Sequence, residues 1–177
     1  MILIRSILLI VSFILSGSMY SQTATSTVTM ALPVVTLMDI EPTGNVTLNF
    51  TAPTEAGNAI GNPTPNTSKW INYTSAVAPG GLTRRITAAV TSTILGINIR
   101  LQAAAASGAG GGTLGTSSGQ VILTTTPVTV ISGIGGAYTG NGTNNGHALT
   151  ISLVPSNYAN LAAQSNTAIT IVYTITE

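Results

Sequence analysis

The sequence predicts an all-β protein, a single antiparallel β-sandwich domain behind an export signal, and three observations carry that prediction. Apolar and hydroxylated residues alternate strictly over several short runs, most cleanly in the runs 24–32 and 168–177. Clusters of Gly, Pro and Asn separate the runs at intervals of roughly 8–15 residues, as turns between strands would. No stretch keeps a helical period long enough to form a core helix.

Residues 1–21 read as a secretory signal peptide. Arg5 supplies the positive charge, Ile7 to Leu15 is apolar apart from Ser12, and Ser16, Gly17, Ser18 and Ser21 are small residues suited to cleavage after Ser18 or after Ser21. The apolar run is shorter than the about 20 residues a bilayer span needs, and nothing later approaches that length. The chain is therefore expected to be secreted, extracellular or at the cell surface, with no membrane span after signal cleavage.

Residues 22–177 form the predicted domain. In the first run Ala24, Ser26, Val28, Met30 and Leu32 share one face and Thr25, Thr27, Thr29 and Ala31 the other, a strand that ends at Pro33. Val34 to Ile40 resumes the extended chain, and Pro42-Thr43-Gly44 turns it. Val46, Leu48 and Phe50 alternate with Asn45, Thr47, Asn49 and Thr51, which predicts a half-buried strand. Ala52 to Ser68 holds Pro53, Gly57, Gly61, Pro63 and Pro65 and reads as a long loop. Strands are next predicted over Lys69 to Thr74, Arg84 to Thr91 and Ile97 to Gln102, with a turn at Pro79-Gly80-Gly81. Ala103 to Gly119 reads as a flexible stretch whose glycines, Gly108 to Gly112, form a hairpin tip. Val121 to Thr125 and Val128 to Ile131 are short β-rich runs split by Pro127, and Gly140 to Gly146 (G-N-G-T-N-N-G) is a turn. Leu149, Ile151 and Leu153 restart the alternation, and Ser156 can cap a short helix over Tyr158 to Ala163. The last strand sets Ile169, Ile171, Tyr173 and Ile175 against Thr170, Val172, Thr174 and Thr176.

Composition excludes several functions. Charged residues make up 5% of the chain, and beyond the signal Lys69, Arg84, Arg85 and Arg100 balance Asp39, Glu41, Glu55 and Glu177. No basic stripe is present for nucleic acid. Solubility rests on Thr, Ser, Asn and Gln, a surface that resists self-association poorly. Without cysteine there is no disulfide framework and no site for a lipoprotein anchor. His147 is the sole imidazole, it borders a Gly/Asn turn, and no serine sits in a nucleophile elbow, so it reads as an exposed strand-edge residue rather than a base. One His and no Cys cannot furnish a usual zinc site. Asp39 and Glu41 share a strand face, but calcium takes six or more oxygen ligands and paired glycosidase carboxylates flank a bond from separate strands. The glycine run at 108–112 lacks the Lys-Ser/Thr of a phosphate loop. No motif calls for a cofactor, a metal or an enzymatic activity.

Trp70 and Tyr73 are the candidate ligand-binding residues, because an aromatic platform on a sheet holds sugar rings. Lying three apart on one strand they face opposite sides, so at most one packs in the core while the other is near the surface. Arg84 and Arg85 likewise diverge.

The Thr-rich alternating strands behind a signal ending in Ser21-Gln22 resemble exported surface proteins of Bacteroidota. The run Leu153 to Thr176, L-V-P-S-N-Y-A-N-L-A-A-Q-S-N-T-A-I-T-I-V-Y-T-I-T, resembles the final strands of chaperone–usher pilins and related surface β-sandwich proteins. The expected fold is thus an immunoglobulin-like or jelly-roll-like antiparallel β-sandwich of about eight to ten short strands. The resemblance implies a sandwich that receives one strand from a neighbour, with residues 22–33 as donor or edge strand and Val28, Met30 and Leu32 as its inserting side chains. It further implies a non-enzymatic structural or adhesive surface protein, a pilus or fibre subunit that associates with itself or with other surface subunits. The alternative is an extracellular module that binds carbohydrate through Trp70 and the Asn-rich loops.

Overall fold

The computed structural model describes residues 21–165 and 167–177. The chain divides into two units, residues 1–32 and 33–177. The signal-peptide expectation falls on residues 1–20, outside the described residues, and on Ser21. Residues 21–32 form no helix, strand or turn, and Val28, Met30 and Leu32 are exposed. The strand expected over Ala24 to Leu32 is therefore not seen: alternation fixes which side chains share a face, but a strand also needs a hydrogen-bonding neighbour, and none among the described residues engages this segment.

The second unit is all-β and antiparallel. Its strands are β1 (Val35–Glu41), β2 (Asn66–Ala76), β3 (Arg84–Val90), β4 (Ile97–Ser107), β5 (Gly111–Ser117), β6 (Gln120–Leu123), β7 (Val128–Tyr138), β8 (Gly146–Pro155) and β9 (Ile171–Thr176). All nine join one open hydrogen-bonded sheet, ordered β6-β4-β8-β2-β7-β3-β9, with β1 beside β2 and β5 beside β7.

Two long strands make the sheet branch. β2 pairs with β1 along one edge; along the other it pairs with β8 from Asn66 to Ile71 and with β7 at Thr74 and Ser75. β7 carries β5 on one edge, and β3 followed by β2 on the other. β4 touches β5 and β7, and β6 touches β3 and β7, with no ladder between them. The two arms of the sheet are consistent with a β-sandwich, and one apolar cluster draws on both. Ile71 and Tyr73 of β2, Leu101 of β4 and Leu149 of β8 join Ile86 of β3 and Val130, Ile131 and Ile134 of β7. Ile171, Tyr173 and Ile175 of the last strand pack against it, with Ile169 just before that strand, the face that alternation assigns them.

Several expectations need correction. Val46, Leu48 and Phe50 keep their half-buried, every-other-residue pattern, yet residues 45–50 make no ladder and only Thr51 bridges to Gly61. β4 continues through the alanines to Ser107, and β5 follows at once, so Ala103 to Gly119 is mostly strand. The glycines at 108–112 are not a hairpin tip, because β4 pairs with β6 and β8 while β5 pairs with β7. Their physical use is close approach: at Gly112, with φ +86°, a Cβ would overlap the Gly136 carbonyl across the β5–β7 ladder. The short helix shrinks to a 3₁₀ turn, Tyr158–Asn160, capped by Asn157 rather than Ser156.

Two buried cations tie loop ends to the sheet. Lys69 donates from Nζ to the carbonyls of Pro42 and Gly44, the latter at 2.8 Å, and so pins the turn after β1. Arg84 is 2% exposed and donates from Nη1 to the Val35 carbonyl at 2.6 Å and the Ser75 hydroxyl at 2.7 Å. Its Nη2 reaches the Ala76 carbonyl at 3.4 Å and lies 3.6 Å from the Glu177 carboxylate. Arg84 thereby joins the start of β1, the end of β2 and the segment after β9. Replacing Arg84 by Met leaves these acceptors without a donor, and urea unfolding should show a loss of about 2–4 kcal/mol. Arg85→Met, one position along on the exposed face, should stay within about 0.5 kcal/mol of the native chain.

Candidate functional site

Polar groups gather where β2 passes from one neighbour to the next. Between its β8 partners and its β7 partners the strand edge at Asn72 and Tyr73 has no ladder, and the turn at 139–146 fills the gap. Thr139 substitutes for a strand residue: its Oγ1 accepts from the Tyr73 N–H at 2.9 Å and its N–H donates to the Tyr73 carbonyl at 3.0 Å. Asn145 organises the turn, donating to the Asn141 carbonyl at 2.8 Å and accepting from the Ala109 N–H at 2.9 Å. Gly146 closes it, with φ +77° and no room for a Cβ against the Ile71 carbonyl.

His147 lies directly inside this junction and is fully buried, which corrects its reading as an exposed edge residue. Its Nδ1 donates to the Ala104 carbonyl at 2.8 Å, since a carbonyl can only accept. Its Nε2 lies 3.0 Å from the Tyr73 hydroxyl and 3.2 Å from the Leu114 carbonyl. The Tyr73 hydroxyl also donates to Leu114, and the two rings stack at 5.8 Å between centroids. The imidazole thus fastens β8 to the irregular step in β4 and to β5, and both of its nitrogens are engaged. An exposed reading failed because a Gly/Asn turn beside a histidine reveals nothing of the strand that folds over it.

Tyr73, one of the two candidate binding residues, is therefore a core residue, 3% exposed. Trp70 is half-buried on the opposite, outer face, paired with Glu41 of β1 and Ala148 of β8. The opposed orientation expected from their spacing is observed.

Beside Trp70 on that outer face lies a shallow groove of about 460 Å³. Leu37, Asp39, Asn72, Thr74, Tyr138 and Asn141 contribute to its lining. The register explains the grouping: Leu37 faces Thr74, Asp39 faces Asn72, and Tyr138 faces Thr74 from the other side. Asn72 is 4% exposed, its Nδ2 donates to the Asn145 carbonyl at 2.7 Å, and its Oδ1 is the one buried side-chain polar atom without a partner among the described residues. Sequence reasoning missed Tyr138 and Asn72 as binding candidates. Neither belongs to a motif, and only the non-local pairing of β1, β2 and β7 collects them.

No group of three or more metal-ligating side chains is found among the described residues, and Asp39 and Glu41 stand opposite Asn72 and Trp70 rather than other carboxylates. The candidate donor side chains Val28, Met30 and Leu32 belong to the first unit, and Trp70 and Tyr73 to the second. No protein-family model, no curated protein and no solved structure matches this chain.

Replacing His147 by Leu removes the donor to Ala104 and leaves that carbonyl buried; the unfolding free energy should fall by about 2–4 kcal/mol, against about 1–2 kcal/mol for Tyr73→Phe. A second check uses the tyrosines. Burial pushes the hydroxyls of Tyr73 and Tyr173 above the ordinary tyrosine value of 10.0 in the folded chain. A raised folded pKa means that the unfolded chain releases these protons first as pH climbs. The contribution of these two tyrosines to stability should therefore be fully present below about pH 10 and be lost above it. Ultraviolet titration should show two tyrosines ionising only as the fold is lost.

Proposed function

We propose that this chain is an exported, non-enzymatic structural or adhesive surface protein, a fibre subunit whose residues 23–32 add as a strand to a second copy. One observation carries the reading: a segment with the alternation of a strand has no strand partner among the described residues, and its apolar residues are exposed, Val28 at 87%, Met30 at 89% and Leu32 at 76%. An unpaired row of that kind is suited to strand addition, in which backbone hydrogen bonds give affinity and alternate side chains give register.

The acceptor in this proposal is the free edge of β9. Among the described residues that strand pairs only with β3, so its other edge presents unpaired N–H and C=O groups. Burial also falls off there: Ile86, Ala88 and Val90 of β3 are at most 3% exposed, whereas Ile171, Tyr173 and Ile175 remain half-buried. An added strand carrying Val28, Met30 and Leu32 would extend the apolar layer past them. The near-neutral, hydroxyl-rich surface offers little charge repulsion between copies. The non-enzymatic reading is supported by His147, whose nitrogens are both committed to hydrogen bonds in the core.

Light scattering on the chain from Gln22 to Glu177 tests the proposal. The expected result is a concentration-dependent ladder of multimers that collapses to the monomer mass when residues 22–33 are deleted, and is weakened by Met30→Asp. A native chain that stays monomeric at high concentration would overturn it, as would a ladder that persists after the deletion.

A further inference from the structure

The outer-face groove has the chemistry of a binding site, and we infer that it takes a neutral oligosaccharide. The inference is independent of the fibre proposal, because every residue in it lies between Leu37 and Asn141 of the second unit and none belongs to the β9 edge.

Three features select the ligand. The first is an aromatic surface. Tyr138 is 55% exposed although it sits in the middle of a hydrogen-bonded sheet, with β5 on one side and β2 on the other. Its ring lies against Gly111, where a Cβ would approach Cε1 to 3.2 Å, so the absence of a side chain there makes room for the phenol. Aromatic rings with a polar tip offer an apolar face and a hydrogen-bonding rim, the pairing that a sugar ring, apolar on its C–H face and hydroxylated around its edge, complements.

The second feature is an excess of acceptors. The Asp39 carboxylate uses one oxygen on the N–H of Ile40 at 2.7 Å and keeps its other oxygen free. Asn72 lines the groove with a nearly buried side chain whose Nδ2 is engaged by the Asn145 carbonyl, and its Oδ1 has no partner among the described residues. Asn141 contributes its backbone carbonyl to Asn145, leaving its exposed side-chain amide available as both donor and acceptor. A set of acceptors with few donors matches a ligand rich in hydroxyl protons, and hydroxyl-to-carboxylate bonds are the stronger kind.

The third feature is charge and extent. Glu41 follows Asp39 on the same face, and Lys69, on the adjoining strand, is turned to the carbonyls of Pro42 and Gly44. Two carboxylates on this face, with Lys69 committed to those carbonyls, disfavour uronic acids, sulfated glycans and phosphates. Trp70 lies on the same face four residues along β2 from Thr74, the position opposite Tyr138, or roughly 13 Å away at the rise of a strand. Two aromatic residues that far apart, with Asn72 and Asp39 between them, suit several linked sugar units rather than one.

Because Trp70 is the only tryptophan of the chain, its fluorescence reports on this face alone. The test is titration of the purified chain with neutral oligosaccharides of glucose, mannose, galactose and N-acetylglucosamine, and with oligogalacturonate of equal length, followed by Trp70 emission and by calorimetry in parallel. At least one neutral series should bind saturably, with oligogalacturonate at least about tenfold weaker, and Tyr138→Ala and Asp39→Asn should each weaken binding about tenfold without changing the circular dichroism. Absence of saturable binding in both readouts for all the neutral series would overturn the inference. So would binding that Tyr138→Ala leaves intact, or a preference for oligogalacturonate.

Discussion

The second unit depends on one strand having more neighbours than a strand ordinarily has. β2 is eleven residues long, pairs with β1 along one edge, and divides its other edge between β8 and β7. Such a hand-over interrupts the ladder, and each backbone group left there in the interior would cost free energy unless something else bonded it. Thr139 meets that demand at Tyr73, through both its backbone N–H and its hydroxyl. Everything near the junction follows from keeping the gap bonded: the turn at 140–146 must return the chain into β8, Gly146 must pass close to β2, and His147 must enter the interior as the second residue of β8.

A buried histidine, lysine and arginine in so weakly charged a chain have a common explanation. Each is surrounded by carbonyl oxygens rather than by carboxylates: Ala104 and Leu114 for His147, Pro42 and Gly44 for Lys69, Val35 and Ala76 for Arg84. Short strands that change partners, and the loops between them, leave carbonyls without a ladder, and long donor side chains are the means of satisfying them from a distance. The ion pair of Arg84 with Glu177 is the exception; its carboxylate is half-exposed and its separation of 3.6 Å is long, so the carbonyl and hydroxyl contacts dominate. Lys69 and Arg84 thus bond loop ends to the sheet.

How much of this was legible depends on whether the information was local. The all-β class, the positions of β1, β3, β8 and β9, the turns at Pro79-Gly80 and 140–146, and the opposed directions of Trp70 and Tyr73 all follow from alternation and turn chemistry, and all are observed. The alanine and glycine stretch from Ala103 was misread because small residues carry little periodic signal; at Gly112 and Gly115 of β5 the neighbouring strand approaches too closely for a larger side chain. Val46, Leu48 and Phe50 show the reverse error, alternation and half-burial without a ladder. His147 and the groove were illegible for a third reason. Tyr138 and Asn72 are 66 positions apart and Asp39 is a further 33 away, so only strand pairing brings them together.

The runs 24–32 and 168–177 make the same point about what alternation can and cannot specify. Both read as strands with one apolar face, and one of them becomes β9 while the other holds no strand within the described residues. A period of two settles which side chains lie together, and a one-residue slip would reverse it, so the pattern encodes register strongly. It does not encode a neighbour, because the hydrogen bonds of a strand come from the backbone and are the same for every sequence. A chain can therefore carry a strand for which its own sheet has no assigned place, and a sheet can end on an edge that its own chain does not cover. Among the described residues β9 bonds β3 alone, and Val28, Met30 and Leu32 are exposed. Strand addition between copies would meet both with one ladder, and it requires no side-chain chemistry beyond the alternation already written at residues 24–32.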